Sequence, residues 1–243
     1  ALGLADRLDT LVGIFGIGQP PTGSKDPFAL RRASLAVLRI IVEKELDLDL
    51  RECLDLAANQ YPEGTLVEGT TEQVLDYMIE RFRAWYEEEN IPVEVFRAVS
   101  ARGLSQPLDI QRRVLAVHAF SQLPEAAALA AANKRVSNIL GKLEAGHVFG
   151  DVSADLLQEP AEKALSEKLA ALSERAGEHL AGGEYREALA SLAGLREPVD
   201  GFFDDVMVNA EDQALRNNRL NLLKQLRDQF LEVADISHLV VGK

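Results

Sequence analysis

Lys134, Arg135, Asn138 and Lys142 are spaced so that on an α-helix, at about 100° per residue, they share an arc of roughly 100°. Leu129, Ala132, Val136, Ile139, Leu140 and Leu143 form an apolar stripe on the opposite side. Three cations and an amide on one open face can neutralise a phosphate backbone or hydrogen-bond an unpaired base. On spacing alone, the commoner reading of a basic helix face is a solvated surface. A second set lies near the end of the chain, where Arg216 and Arg227 edge a face made by Leu215, Leu222, Leu223, Leu226, Phe230 and Val233. Arg219 falls inside that face and cannot stay unpaired there. Asp204 and Asp205 are the nearest carboxylates on the preceding helix, so Arg219 is predicted to be a structural staple between the last two helices. A third set, Lys25, Arg31, Arg32 and Arg39, surrounds the start of an early helix. These residues suit either contact with a partner or local pairing with the loop and neighbouring acids.

Residue types for covalent or metal chemistry are present but not arranged for it, and neither a catalytic nor a metal-ligating residue is expected. His118, His147, His179 and His238 stand far apart without ligand spacing, and no His-Asp dipeptide occurs. A stand-alone metal-dependent hydrolase is therefore not supported. Cys53, the sole cysteine, sits in the apolar pattern Cys53-Leu54-Asp55-Leu56 and reads as core packing; with no possible intrachain disulfide, it fits a reducing cytoplasm. Gly13, Gly16 and Gly18 follow a helical pattern rather than a strand and precede no phosphate-binding Gly-Lys-Ser/Thr. Trp85 and Tyr86 adjoin Glu87-Glu88-Glu89, where a polyanion would be repelled, while Phe202 and Phe203 read as core.

The net charge of -13 argues against nucleic-acid binding over the whole surface, so any such site must be local. Residues 45–94 hold 14 acidic and 3 basic side chains, whereas residues 23–44 hold 5 basic and 2 acidic ones. Most of the net negative charge, -11 of -13, lies in this one middle segment, suited to a solvated face turned away from any polyanion. The 243 residues suffice for one large or two ordinary domains. No apolar run approaches the roughly 20 residues of a membrane span.

Helical periodicity runs from end to end and no window alternates convincingly, which predicts an all-α chain built of helical bundles. Helices are expected over 6–15, from Asp26-Pro27 to about Lys44, and near 48–60, 71–89, 92–102, 107–121, 124–144, 160–180, 184–196, 198–209 and 211–235. Pro62, Pro92, Pro107, Pro124, Pro160 and Pro198 fall at or near the boundaries, where proline costs least. Residues 146–153 read as a loop within a bundle. The best internal boundary lies near Gln122-Leu123-Pro124.

Two stretches resemble known families. Phe202-Phe203-Asp204, Val206-Met207-Val208-Asn209, Leu215-Arg216-Asn217-Asn218-Arg219-Leu220 and Leu222-Leu223, with Asn133-Lys134-Arg135-Val136-Ser137-Asn138-Ile139-Leu140 before them, resemble a DALR-type anticodon-binding domain. Thr22-Gly23-Ser24-Lys25-Asp26-Pro27-Phe28-Ala29-Leu30-Arg31-Arg32 resembles the beta subunit of two-subunit bacterial glycyl-tRNA synthetases. The resemblance implies residues 1–60 as the closing helices of an HD-like domain, 61–122 as a helical connector and 123–243 as an anticodon-binding helix bundle, the whole cut from a longer cytoplasmic subunit. It further implies tRNA(Gly) and the catalytic alpha subunit as partners, with neither membrane nor DNA involved. ATP and Mg would act in the holoenzyme, with no cofactor in this chain. Lys134, Arg135, Asn138, Lys142, Arg216 and Arg227 then become candidates for RNA contact, and Lys25, Arg31, Arg32 and Arg39 for the acceptor arm or the alpha subunit. The alternatives are the anticodon-binding domain of an arginyl-tRNA synthetase, against which the Lys25–Arg32 block speaks, and a helical scaffold that binds no RNA.

Overall fold

Apolar residues recurring every three or four positions need a neighbouring face to cover them, and this chain supplies it with helices alone. The computed structural model describes residues 2–23, 25–143 and 146–240. The α-helices are α1 (Leu2–Gly16), α2 (Leu30–Glu43), α3 (Leu50–Ala58), α4 (Thr70–Glu88), α5 (Val93–Ser100), α6 (Pro107–Ser121), α7 (Ala126–Leu140), α8 (Pro160–Ala181), α9 (Tyr185–Leu192), α10 (Arg196–Asp205) and α11 (Gln213–Leu231). Short 3-10 turns occupy Ala154–Leu156, Ala193–Leu195 and Ile236–Leu239. Among the described residues the only β feature is an isolated bridge between Thr22 and Lys25, so the chain is all-α.

The chain divides into two compact units, one comprising residues 1–96 and 103–112, the other 97–102 and 113–243. The stretch 61–122, expected as a connector, contributes to both. In the first unit α1, α2, α3 and α4 pack on one another. Leu11, Val12, Val37, Leu38, Leu54, Val74 and Met78 are fully buried there. Tyr61 and Leu66 press against α1 where Gly13 and Gly16 have no side chain, so these glycines make room for packing. In the second unit α8 pairs with α9, and α7, α10 and α11 close the bundle. Its centre holds Leu165, Leu189, Leu192, Phe202, Leu222, Leu223 and Phe230.

Several boundaries differ from the sequence expectation. Helix α1 begins at Leu2 rather than at residue 6, α10 ends at Asp205 rather than at 209, and α11 ends at Leu231 rather than at 235; three others have a visible cause. Helix α2 begins at Leu30 rather than at Asp26-Pro27, because a turn intervenes and Ala29 takes the left-handed conformation, φ 55°. Asp26 still caps the helix across that turn: its carboxylate accepts the N–H groups of Leu30 at 2.8 Å and Arg31 at 3.0 Å. The break expected at residue 197 lies earlier, at the turn over 193–195, so Pro198 enters the first turn of α10, where its missing N–H would be unpaired anyway. Helix α7 ends at Leu140 rather than near 144, because Gly141 disfavours continuation; its N–H closes the helix on the Ser137 carbonyl at 2.9 Å. Glu144, the last residue of the expected helix, lies outside the described residues, as does Ala145 after it.

Candidate nucleic-acid interface

Helix α7 is sided by its composition. Ala126, Leu129, Ala130, Ala132, Asn133 and Val136 are buried, with the Asn133 amide donating to the Leu129 carbonyl at 3.0 Å. Lys134, Arg135 and Asn138 are all exposed on the other side. Lys142 is exposed too, but in the turn that follows the helix rather than on the helical arc. Among the described residues none of these four side chains makes an ion pair. The Arg135 guanidinium lies over the Phe203 ring, 4.2 Å from its centroid. Phe203 is therefore only partly core: Phe202 is fully buried beside it, while Phe203 is half-buried beneath a cation.

Helix α11 starts at Asp212, whose carboxylate accepts the N–H groups of Ala214 at 2.8 Å and Leu215 at 3.1 Å. Its inward face buries Asn218, Arg219, Leu220, Leu222, Leu223, Leu226 and Phe230. Arg216 and Arg227 are half-buried, and the Arg227 Nε is enclosed without a hydrogen-bond partner. Among the described residues no hydrogen bond or ion pair joins either arginine to the open face of α7.

Arg219 is paired inside the bundle, but not with the carboxylates nearest in sequence. Its Nε meets the Glu162 carboxylate at 2.7 Å and its Nη2 at 3.4 Å, while Nη1 donates to the Met207 carbonyl at 2.8 Å. Glu162 is wholly buried and also accepts the N–H groups of Gln158 at 3.0 Å and Glu159 at 2.8 Å. The staple therefore ties α11 to the first turn of α8 and to the strand of chain after α10, whereas Asp204 and Asp205 stay exposed. Burial pushes the Glu162 carboxyl up, but Arg219 and the two N–H groups outweigh it and hold it below the usual carboxylate range.

Sequence reasoning missed Glu162, Asn218, Asn221 and Arg113. Glu162 stands two residues after Pro160, at a position from which a carboxylate reaches back to cap its own helix, and that signal was legible. Asn218 accepts from the Ser153 N–H at 2.7 Å and donates to the Ser153 carbonyl at 3.0 Å. Asn221 binds the Gly150 N–H at 3.2 Å and the Asp151 carbonyl at 3.3 Å, so two asparagines latch the 146–153 loop onto α11. Arg113 donates to the Val233 carbonyl at 2.9 Å, closing the end of α11, and lies over the Tyr185 ring at 4.2 Å.

In the first unit Lys25 and Arg32 are exposed. Arg31 donates to the Gly23 carbonyl rather than to an acid of a neighbouring helix. Arg39 lies over the Trp85 ring, 5.4 Å from its centroid. Burial, with Asp49 and Glu52 nearby, pushes the Cys53 thiol up, away from the thiolate a nucleophile needs. Among the described residues no group of three or more His, Cys, Asp or Glu side chains is placed to hold a metal ion. Among the described residues no single helix is long and apolar enough to cross a membrane either.

Residues 1–101 match the family described as glycyl-tRNA synthetase beta subunit, and residues 129–236 match the DALR anticodon binding domain. The glycine–tRNA ligase beta subunit of Chromohalobacter salexigens is 59% identical over 241 residues, covering 98% of this chain and 35% of the relative. The corresponding subunit of Pseudomonas aeruginosa is 57% identical over 237 residues, and that of Marinobacter nauticus 55%, each covering 98% of this chain and 34% of the relative. The chain spans about a third of the length of the curated relatives it matches. The match over residues 1–101 displaces the arginyl-tRNA synthetase alternative. The chain thus joins a segment of the glycyl-tRNA synthetase beta subunit family, residues 1–101, to a segment of the DALR anticodon-binding domain family, residues 129–236.

Proposed function

We propose that this chain is the tRNA-recognition part of a glycine–tRNA ligase beta subunit, binding the anticodon arm of tRNA(Gly) through its second unit. The observation that carries the reading is the solvent face of α7. In a chain of net charge -13, Lys134, Arg135 and Asn138 stand exposed, without an ion pair among the described residues, on one helix of the segment that matches an anticodon-binding family. Cations left open in an otherwise acidic protein give a local site to which phosphate is steered. Lys142 in the adjoining turn and Arg216 and Arg227 on α11 extend the candidate contacts. Lys25, Arg31, Arg32 and Arg39 are candidates for the acceptor arm or the alpha subunit.

In this reading the chain contributes no reacting group. Binding energy from a correct anticodon is spent on orienting the distant acceptor end for ATP-dependent glycylation by the alpha subunit, so a wrong anticodon lowers the rate as well as the affinity. ATP and Mg act in the assembled cytoplasmic enzyme, outside this chain. Filter binding of the assembled ligase with tRNA(Gly) and with an anticodon-substituted tRNA, at one stated salt concentration, tests the reading. Tighter binding of the cognate tRNA is expected. Equal affinity for both would favour a helical scaffold that does not read the anticodon.

A further inference from the structure

Resting on that reading, we propose that the Arg135 guanidinium, backed by the Phe203 ring, is a stacking platform for one unpaired base of the anticodon loop. At 4.2 Å from the ring centroid the planar guanidinium is in contact with the aromatic face. Phe203 is itself braced edge-on against Phe202, with centroids 5.6 Å apart and planes at 83°, and Phe202 is fully buried. A cation on the surface of α7 is thereby anchored to the core of the bundle through α10.

A side chain that only neutralised phosphate would gain little from such backing, since a point charge on a flexible stem suffices, as at the adjacent Lys134. The ring instead holds the guanidinium plane in place before binding, which lowers the ordering cost of placing a flat group against it. Arg135 is exposed and makes no ion pair among the described residues, so the guanidinium meets the Phe203 ring on one side while the side chain stays open to solvent. Unpaired bases stack on arginine planes as they do on aromatic rings, and every base has such a face. Asn138 is exposed one turn further along α7, within about 5–6 Å of Arg135 between Cβ atoms. Its amide offers both donors and an acceptor to the edge of a base so held. The ligand class is an unstacked nucleobase rather than a phosphate, which gives Arg135 a role different from that of Lys134.

The test uses the assembled ligase, with full-length beta subunit, and tRNA(Gly) transcripts carrying 2-aminopurine at one anticodon position at a time. Wild-type enzyme is expected to change the emission of the probe at one of these positions. Arg135→Lys keeps the charge and removes the plane. It is expected to abolish that change and raise Kd about 5- to 150-fold, with the salt dependence of binding unaltered. Phe203→Leu is expected to lose the same signal with no change in charge. As Arg135 is exposed, its lysine variant keeps the fold even if the Phe203 variant does not. Wild-type affinity for Arg135→Lys, or a retained emission change, would overturn the platform while leaving anticodon binding intact. Wild-type enzyme that gives no emission change at any position and binds cognate and anticodon-substituted tRNA equally would overturn both readings.

Discussion

Replacing Arg219 with leucine removes both contacts to Glu162 and the bond to the Met207 carbonyl while keeping an apolar side chain in the buried face of α11. Breaking a buried ion pair from one side costs about 3–5 kcal/mol, because the other charge is left behind. Glu162, with no exposed surface, keeps the N–H groups of Gln158 and Glu159, and Met207 is 75% exposed, so water can take over its carbonyl. The lower end, about 3 kcal/mol, therefore applies. For a unit near this size each kcal/mol lowers Tm by roughly 2–4 °C, so Arg219→Leu should melt about 6–12 °C below wild type at pH 7. Removing both charges with Arg219→Leu and Glu162→Leu should recover most of the loss, since an apolar pair needs no partner. The Glu162 carboxyl lies below its unfolded range, so its stabilisation is fully present above about pH 4.3 and is lost as pH falls through the folded value. The gap between wild type and Arg219→Leu should accordingly narrow on acidification. Circular-dichroism melts across this pH range check all three expectations. A Tm for Arg219→Leu within about 2 °C of wild type at pH 7, or a gap that widens in acid, would refute the reasoning.

Three further perturbations separate the remaining parts of the account. Asn218→Ala removes both bonds to Ser153, should cost about 2 kcal/mol, and should speed hydrogen exchange at the Ser153 amide; unchanged protection there would contradict the latch. Arg39→Ala uncovers the single tryptophan, Trp85, which should emit at longer wavelength with less than about 1 kcal/mol of destabilisation; an unaltered spectrum would show that the guanidinium does not cover the ring. Lys134→Ala in the assembled ligase should reduce the slope of log Kd against log salt concentration for tRNA(Gly) by about 1; an unchanged slope would remove Lys134 from contact with phosphate.

Helices were legible because their burial pattern is local. The 3.6-residue period marks α4 or α8 without knowledge of what covers it, and proline marks where α5, α6, α7, α8 and α10 begin. The open side of α7 was legible for the same reason, since Lys134, Arg135 and Asn138 oppose a buried face that the sequence already displays. Pairing across the bundle was not. Arg219 had to meet a carboxylate, but which one depends on how α8 docks against α11, and a partner 57 positions away leaves no spacing signal. Phe203 reads as core because it precedes the acidic Asp204-Asp205, yet neighbouring residues on a helix point about 100° apart, so only Phe202 reaches the centre. Lys142 was assigned to the helical arc because periodicity weighs residues one by one, whereas Gly141 ends the helix through its weak propensity.

The central claim, that an RNA loop rests on the open face of α7, is tested most directly by crosslinking from a photoactive nucleotide placed in the anticodon of tRNA(Gly) bound to the assembled ligase. The account predicts adducts on the segment from Lys134 to Lys142, lost when unlabelled tRNA(Gly) competes. Adducts confined to residues 1–96, or none on the second unit, would contradict it.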